Sequence, residues 1–352
     1  MAASIKDIAR IAGVSHSTVS RALRDNPLIP SDTAQRIKKI ADQLGYRASA
    51  VARSLVTRKT EAIGIVVTSI ADPFNGEVVA GIEEVANTHG YSVILANSQA
   101  DPQREMAVAR SFHERRVDGI VVASSRVGAL YLPALSQMEV PVVLLNNQHP
   151  SEFVHSVSID NIDGARQAAR HLLELGHTRI AYIGDQSGLE SDAERLRGLT
   201  DEVTRAGLRI RPEFVARGDG KPEAASRRAL ELLALKPRPT AIFCYNDMSA
   251  LGVLKAAYDR NLRVPEELSI SGFDDLFFAA MLQPALTTVR QPMRELGRRA
   301  MELLIDLLNG LEPEKTQLIK GELVVRQSTA KPPVTNRSDP ERIRKPSLRN
   351  TA

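Results

Sequence analysis

Short polar side chains and one arginine follow a helical spacing in residues 15–22. Ser15 is placed to cap a helix whose apolar face contains Val19 and Ala22. The exposed face of this helix would present Ser15, His16, Ser17, Ser20 and Arg21. These side chains are short enough to enter a DNA major groove, where an arginine can donate two hydrogen bonds to a guanine. A small helical bundle that binds a protein would show the same pattern, so this alternative stays open.

The elements that would position this cluster are three short helices within residues 4–45. Ser4 and Asp7 have nearly the spacing of a capping box at the start of the first helix. Gly13 fits the turn before the second helix, because a turn there requires a positive φ. Ser31 begins the third helix. The spacing of apolar residues predicts a helix-turn-helix.

Charge is distributed unevenly along the 352 residues. Residues 1–60 carry 11 Lys and Arg against 4 Asp, a net charge of +7, and residues 331–352 carry +4. The whole chain carries +4, so residues 61–330 carry −7. A basic head on an acidic body is expected when only the head contacts a polyanion. Small domains are also basic by chance, so the charge alone does not show that the head binds a polyanion.

From residue 61 the pattern alternates between apolar strands and amphipathic helices. Such alternation predicts an α/β fold with doubly wound parallel sheets, and two successive sets of elements predict two lobes. The predicted strands are Ile63–Ser69, Tyr91–Ser98, Gly119–Ser124, Val142–Asn146, Arg179–Gly184, Phe214–Arg217, Ala241–Tyr245 and Leu268–Phe273. The predicted helices are Phe74–His89, Arg104–Arg115, Ile162–Leu175, Arg195–Ala206, Glu223–Leu235 and Met248–Arg260.

The sequence contains no clear signature of catalysis or metal binding. It has no G-x-G-x-x-G after the first strand, no phosphate-binding P-loop and no nucleophile elbow. Cys244 is the single cysteine, and His171 and His177 are too far apart in sequence to bind a metal from one helix face. No segment is apolar over the roughly 18 residues of a membrane span. We expect a cytoplasmic protein without cofactor or metal.

The head and a series of later motifs resemble the lactose-repressor (LacI/GalR) family of bacterial transcription regulators. The resemblance covers residues 4 to about 330. The motifs that carry it, beyond the head, are Gly45-Tyr-Arg-Ala-Ser-Ala-Val-Ala-Arg-Ser-Leu55, Asp72-Pro-Phe-Asn75, Asp118-Gly-Ile120, Leu175-Gly-His-Thr-Arg-Ile180, Tyr245-Asn-Asp247, Gly272-Phe-Asp-Asp275 and Pro284-Ala-Leu-Thr-Thr-Val289.

The resemblance implies roles for particular residues of the head. His16, Ser17 and Arg21 match positions that read base edges, while Ser15, Thr18 and Ser20 match positions that serve the turn and the phosphates. Ala52 and Leu55 match a hinge helix in the minor groove. There the leucine separates the central base pairs and kinks the duplex.

The body is similar to periplasmic sugar-binding proteins, which bind a small molecule between two lobes. The matching effector-binding positions are Phe74, Asn146, Ser191, Arg195, Asn246, Asp274 and Gln291. Their mixture of donors and acceptors suits a hydroxyl-rich ligand such as a sugar. Gly220 and Asn75 stand where some members of the family have aromatic rings, which implies a different pocket shape.

The resemblance also implies a division of the chain. The expected parts are a DNA-binding head (1–47), a hinge helix and linker (48–60), a two-lobed effector-binding and dimerisation domain (61–330) and a disordered basic tail (331–352). Within the two-lobed domain, the first lobe is expected at about 61–160 and 291–320, and the second at about 161–290 and 321–330.

These features predict a homodimeric repressor that binds a near-palindromic operator and responds to a small effector. Two alternatives belong to other classes. A sugar-binding transport protein would need a signal peptide and would not need a basic head. An enzyme on the same fold would need a phosphate loop or a catalytic cluster.

Overall fold

The computed structural model describes residues 3–46, 54, 59–99, 101–123, 140–146 and 155–333. The chain divides into two compact units, Met1–Glu61 and Ala62–Ala352. Two predicted hinge residues, Ala52 and Leu55, lie outside the described residues, as does the predicted tail beyond residue 333.

The helices described in the first unit are α1 (Ile5–Ala12), α2 (His16–Ala22) and α3 (Ser31–Gln43). The predicted capping box at the start of α1 is confirmed: the Asp7 N–H donates to Ser4 Oγ at 3.4 Å, and the Ser4 N–H donates to Asp7 Oδ2 at 3.0 Å.

Gly13 ends α1 with a φ of +66°, as the turn required. The core beneath the three helices is aliphatic and consists of Ile8, Ala9, Ala12, Val19, Ala22, Ile37 and Ala41. The alanines among these residues allow the helices to pack closely. The helix-turn-helix prediction is therefore confirmed.

The second unit contains two six-stranded sheets. The first has the strand order β11-β5-β4-β3-β1-β2, and its strands are parallel. Its strands are β1 (Ala62–Val67), β2 (Ser92–Asn97), β3 (Gly119–Ala123), β4 (Val142–Leu145), β5 (Ser156–Ile159) and β11 (Thr316–Ile319).

The second sheet has the order β12-β10-β9-β8-β6-β7. It is parallel except for β12, which pairs antiparallel with β10. Its strands are β6 (Ile180–Asp185), β7 (Val215–Gly218), β8 (Ala241–Cys244), β9 (Ser269–Asp274), β10 (Thr287–Arg290) and β12 (Glu322–Val324). The prediction of an α/β fold with two parallel-sheet lobes is confirmed.

Helices connect and cover the strands. They are α4 (Pro73–Thr88), α5 (Pro102–Glu114), α6 (Asn161–Glu174), α7 (Glu190–Arg205), α8 (Pro222–Ala234), α9 (Asp247–Asp259) and α10 (Met293–Leu308). Buried aliphatic residues on both faces of each sheet explain why the central strands are almost continuously apolar.

Helices α4 and α10 pack closely on the first sheet because each has a glycine at the contact. A Cβ atom on Gly297 would overlap the carbonyl oxygen of Val78, and one on Gly81 would overlap that of Arg294. Both neighbours are backbone atoms, so a side chain at either position would force the two helices apart.

The chain passes between the two sheets three times. It leaves the first sheet after β5, returns after β10, and leaves again between β11 and β12. Each lobe is therefore built from separate segments of the sequence.

One predicted helix boundary is wrong. The prediction starts a helix at Arg195, whereas α7 begins at Glu190 and includes Arg195 in its second turn. Leu189 occupies the N-cap and provides no side-chain hydrogen bond, so the usual capping residue is missing from the sequence. Glu190 and Asp192 instead favour the observed start of α7, because acidic groups interact well with the positive end of a helix.

Among the residues that the structure describes, no helix is long and apolar enough to cross a membrane.

Candidate functional site

The exposed face of α2 presents the side chains that the sequence pattern selected. His16, Ser17 and Arg21 are exposed and Ser20 is half-buried, while Val19 and Ala22 are buried on the opposite face. Within the described residues, the side chains of His16 and Arg21 make no hydrogen bond or ion pair. They are therefore available to an external partner.

Three hydroxyl groups meet at the N-terminus of α2. Ser15 Oγ accepts a 3.1 Å hydrogen bond from the Thr18 N–H and lies 2.7 Å from Ser17 Oγ and 2.8 Å from Thr18 Oγ1. Ser15 caps the helix, and the other two hydroxyls surround the cap. Such a cluster at a helix N-terminus can donate to a phosphate oxygen, because the helix dipole also favours an anion there.

In the second unit, most candidate residues follow the carboxyl ends of strands. Asn146 follows β4, Asn246 lies two residues after β8, Asp274 ends β9, and Gln291 follows β10. Carboxyl ends of parallel strands meet at one edge of a sheet, which is where open α/β sheets bind ligands.

Arg195 is the centre of a buried contact set in the second lobe and is 3% exposed. Its Nε donates to Asn161 Oδ1 at 2.9 Å, and its Nη1 donates to the Tyr245 carbonyl at 2.5 Å. The guanidinium carbon lies 3.7 Å from the centre of the Phe273 ring and 4.6 Å from that of Tyr245. These rings stabilise the cation in place of water.

Asp274 lies beside Arg195 and Gln291. Its Oδ1 is 3.9 Å from Arg195 Nη1 and accepts a 2.6 Å hydrogen bond from Gln291 Nε2. Asp274 has a φ of +120°, which is rare for a residue with a side chain and turns the chain sharply at the strand end. The structure thus joins three residues that the sequence resemblance selected: Arg195, Asp274 and Gln291.

Burial raises the pKa of Asp274 well above the usual range of an aspartate. The Arg195 cation and the Gln291 hydrogen bond oppose this shift, while the nearby carboxylates of Asp247 and Asp72 add to it. A protonated Asp274 can donate a hydrogen bond and an ionised one can only accept.

Ser191 and Asn246 are held in neighbouring positions. Ser191 Oγ lies 3.0 Å from the Tyr245 hydroxyl, and burial raises the pKa of that tyrosine to about 12. Asn246 caps α9 through its Oδ1 and donates from Nδ2 to the Gly220 carbonyl at 3.1 Å. The amide of Asn246 therefore already has two intramolecular partners.

Phe74 and Asn146 lie in the first lobe, apart from the Arg195 contacts. Phe74 is half-buried near the start of α4 and packs against the first-lobe core. Asn146 has a φ of +48°, and its Oδ1 accepts a 3.2 Å hydrogen bond from the Ile159 N–H. The structure does not bring these two residues into hydrogen-bond contact with the second-lobe candidates.

Sequence reasoning missed several residues of this site. Asn161 and Tyr245 hold Arg195, and Phe273 stacks on it. Tyr245 directly follows β8, and Phe273 is the second-last residue of β9. Both belong to the quoted motifs, so a search for aromatic residues at strand ends would have found them. Asn161 is the first residue of α6 and follows β5. Because β5 was not predicted, no predicted strand end pointed to Asn161.

A cavity of about 620 Å³ opens next to this site. The start of α4 contributes Pro73 and Glu77 to its lining, and the second lobe contributes Asp275. Gln291 lines it as well, and its Oε1 is buried without a hydrogen-bond partner among the described residues. Such an unsatisfied atom is rare in a folded protein, so Gln291 Oε1 is a candidate acceptor for a ligand in this cavity.

Comparisons with known protein families match both units. Residues 4–49 match the model of bacterial regulatory proteins of the lacI family, and residues 169–329 match a periplasmic binding protein-like domain. A curated relative, the HTH-type transcriptional regulator RegA of Clostridium saccharobutylicum, is 36% identical over 331 residues. The alignment covers 94% of this chain and 100% of the relative.

Solved structures show the same likeness over nearly the whole chain. The lac repressor dimer bound to operator and the anti-inducer ONPF has a TM-score of 0.86 and 27% identity, covering 94% of this chain and 100% of that one. The complex of the transcriptional regulator CelR with cellobiose has a TM-score of 0.72 and 29% identity, covering 93% and 99%. The chain belongs to the lacI family of bacterial transcriptional regulators.

Proposed function

We propose that the chain is a homodimeric repressor whose affinity for a near-palindromic operator is controlled by a small, sugar-like effector. The observation that supports this proposal is that one chain has two separate polar surfaces suited to binding. One is the polar face of α2, where the side chains of His16 and Arg21 make no hydrogen bond or ion pair with a described residue. The other is the Arg195–Asp274–Gln291 cluster beside a cavity. The solved lac repressor is a dimer on operator DNA, and CelR holds a disaccharide.

The division of the chain supports a separation of these roles. We assign residues 1–47 to DNA binding, 48–60 to the hinge, 61–330 to effector binding and dimerisation, and 331–352 to a basic tail. The first lobe would comprise about 61–160 and 291–320, and the second about 161–290 and 321–330. The −7 charge of residues 61–330 leaves the basic head as the part suited to a polyanion.

In the head, His16, Ser17 and Arg21 would contact base edges. Ser15, Thr18 and Ser20 would contact phosphates or fix the turn, in keeping with the hydroxyl cluster around Ser15. Ala52 and Leu55 would enter the minor groove of the operator centre, where an apolar wedge kinks the duplex.

In the body, the effector would contact Phe74 and Asn146 from the first lobe. From the second lobe and the crossing segment it would contact Ser191, Arg195, Asn246, Asp274 and Gln291. Because these residues lie on both lobes, a bound effector would change the angle between them. That angle would set the spacing of the two hinges in the dimer, and a coupling free energy of about 1–3 kcal/mol gives a 5–150-fold change in affinity.

In this role the chain needs no catalytic step, cofactor or metal. It would act in the cytoplasm, where the bacterial DNA is. The curated and structural relatives named above are regulators, which favours binding over catalysis.

Selection of bound fragments from random DNA by the full-length chain tests the DNA-binding role. We expect enrichment of a near-palindrome whose half-sites are about one helical turn apart. Deletion of residues 1–60 should abolish the enrichment and leave the body folded. Failure of the full-length chain to enrich any sequence would contradict the proposal.

A thermal-shift screen followed by operator titration tests the control by an effector. A compound at 100 times its Kd stabilises the folded body by about 2.7 kcal/mol. The same compound must then change operator affinity. A compound that binds the body and leaves operator affinity unchanged would contradict this part of the proposal.

A further inference from the structure

The amino ends of four strands lie together at one edge of the second sheet. Strands β6, β7, β8 and β9 are parallel neighbours, so this amino edge is opposite the carboxyl edge that carries Asp274 and the cavity-lining Asp275. The amino edge is therefore at the end of the lobe away from the proposed effector position. Its segments are 175–179, 206–214, 235–240 and 260–268, which precede the four strands, and 328–331, which is hydrogen-bonded to the start of β9.

The charge of the amino edge is opposite to that of the body as a whole. Its five segments contain eight Lys and Arg against three Glu, a net charge of +5, although residues 61–330 together carry −7. Six of the eight cations are arginines, whose planar guanidinium groups match the geometry of a phosphate. The eight are Arg179, Arg209, Arg211, Lys236, Arg238, Arg260, Arg263 and Lys331.

Several of these cations have no counterion within the part of the chain that the structure describes. Arg209, Lys236 and Lys331 are exposed, and their side chains make no hydrogen bond or ion pair with a described residue. Arg260 is also exposed and donates only to the Leu230 carbonyl, at 3.5 Å. A group of exposed cations on one face is typical of a surface that binds a polyanion.

Hydrogen bonds hold the segments of the amino edge together as one surface. Arg179 Nε donates to the Arg238 carbonyl at 3.0 Å, and the Arg179 carbonyl accepts from the Thr240 N–H at 2.9 Å. His177 lies 2.9 Å from both Thr240 Oγ1 and the Ala330 carbonyl. Four neighbouring strands cover about 15 Å. Duplex DNA carries one phosphate for about every 1.7 Å of its axis, so about nine phosphates would lie along this length.

The remainder of the basic tail adds charge at the same place. The described chain ends at Pro333, three residues after Ala330, whose carbonyl lies against His177 at the amino edge. Residues 334–352 contain five Lys and Arg against two Asp and Glu, a net charge of +3. The amino edge and the sequence that follows it therefore have the same sign of charge.

We propose that the amino edge of the second sheet is a second, sequence-independent DNA-binding surface, separate from the head. It contacts the phosphates of one duplex while the head contacts another, so that the protein bridges two DNA segments. The arginine content favours phosphates, and a lacI-family regulator acts on DNA, where further duplex segments are near. The inference does not depend on an effector, because the amino edge lies away from the cavity.

Retention of two duplexes by the full-length chain tests this surface. One random-sequence duplex is fixed to beads and a second, labelled one is free in solution, at about 50 mM salt. We expect wild type to retain the labelled duplex, and the retained amount to fall steeply as the salt concentration rises. Failure of wild type to retain the labelled duplex would overturn the proposal.

A triple substitution, Arg209→Gln with Lys236→Gln and Lys331→Gln, removes the three unpaired cations and is called the edge variant. It should retain about fivefold less labelled duplex than wild type, because fewer phosphates are neutralised. Side chains without partners at the surface contribute little to stability, so its melting temperature should stay that of wild type. Undiminished retention by the edge variant would overturn the proposal.

The matched control removes the same charge elsewhere on the body. Arg110→Gln with Lys221→Gln and Lys320→Gln replaces one exposed arginine and two exposed lysines outside the amino edge. This control should retain the labelled duplex like wild type. An equal loss in the control and the edge variant would show that retention follows the net charge alone, and would overturn the proposal.

Vesicles that contain phosphatidylglycerol distinguish DNA from an anionic membrane. We expect wild type to bind random-sequence duplex more tightly than these vesicles. Tighter binding to the vesicles, lost in the edge variant, would identify a membrane-docking surface and overturn the proposal. Enrichment of an operator sequence depends on the head and should be the same in the edge variant and the control, so this inference and the proposed function fail separately.

Discussion

Gln291 Nε2 donates a 2.6 Å hydrogen bond to Asp274 Oδ1, and so joins a segment that crosses between the lobes to the end of a second-lobe strand. Both residues are almost fully buried, at 3% and 5% exposure. A ligand that contacts either residue will therefore change the environment of the other. This pair links the proposed effector position to a segment that crosses between the lobes.

Replacement of Asp274 should weaken effector binding without altering operator binding in its absence. Asp274→Asn removes the carboxyl group beside Arg195 and should cost about 1.5–3 kcal/mol in affinity for the identified effector, because a buried partner is left without its hydrogen-bond or ion-pair contact. The measurement is operator affinity titrated with effector. Asp219→Asn, at a half-buried aspartate of the same lobe whose Oδ1 accepts a hydrogen bond from the Lys221 N–H, serves as the control. A wild-type response of Asp274→Asn would remove this residue from the site.

Arg21 should contribute to the choice of DNA sequence. Arg21→Ala should reduce operator affinity by about 1–3 kcal/mol and relax selectivity at one guanine in each half-site, because a bidentate contact is lost. Binding to the operator and to single-base variants measures both effects. Arg10→Ala, which removes an exposed arginine of α1, is the matched control. If Arg21→Ala weakens binding to every sequence equally, the residue contacts a phosphate instead.

His177 should make the body less stable as the pH falls. It lies 2.9 Å from Thr240 Oγ1 and 2.9 Å from the Ala330 carbonyl, and burial lowers its pKa from 6.5 to about 4. His171 and Arg179 add to this shift through their positive charge. The folded state favours the neutral ring, so this contribution is complete above pH 6.5 and is lost as the pH falls towards 4.

The loss expected from His177 is about 3 kcal/mol at most, the free-energy equivalent of the difference between the two pKa values. Unfolding of the body between pH 4 and 8 measures it. His177→Gln should flatten the pH dependence, whereas His113→Gln, which replaces an exposed histidine of α5, should not. Equal pH dependence in wild type and His177→Gln would show that this group does not titrate on unfolding.

The close contact between α4 and α10 predicts opposite effects at two glycines. Gly297→Ala should destabilise the body by about 1–3 kcal/mol, because the new methyl group meets the Val78 carbonyl. Gly76→Ala, in α4 and with no atom within 4 Å of the added Cβ, should raise stability by up to about 1 kcal/mol. Melting temperatures of both variants check this prediction. Equal stability of the two variants would contradict it.

The sequence predicted elements well where a strong local signal exists. The Ser4–Asp7 capping box, the Gly13 turn and the apolar central strands all appear in the structure. Strands β5, β10, β11 and β12 were not predicted, because each short strand contains polar or exposed residues that interrupt the apolar pattern. Their pairing depends on contacts between distant segments, which periodicity does not show.

The same limit applies to the candidate site. Arg195, Asp274 and Gln291 were selected through resemblance, and their mutual contact could not be obtained from spacing because it joins three separate elements. Helix α10 was not predicted, although its buried residues Leu296, Ala300 and Leu304 have helical spacing.

The three crossings of the chain between the sheets have a consequence for synthesis of the protein. The first sheet acquires its edge strand β11 only at Thr316–Ile319, and the second acquires β12 at Glu322–Val324. A nascent chain released after β10 would therefore lack parts of both lobes, including α10, which covers the first sheet. The two lobes cannot mature one after the other on the ribosome, and completion of both must wait for the same last few residues of the body.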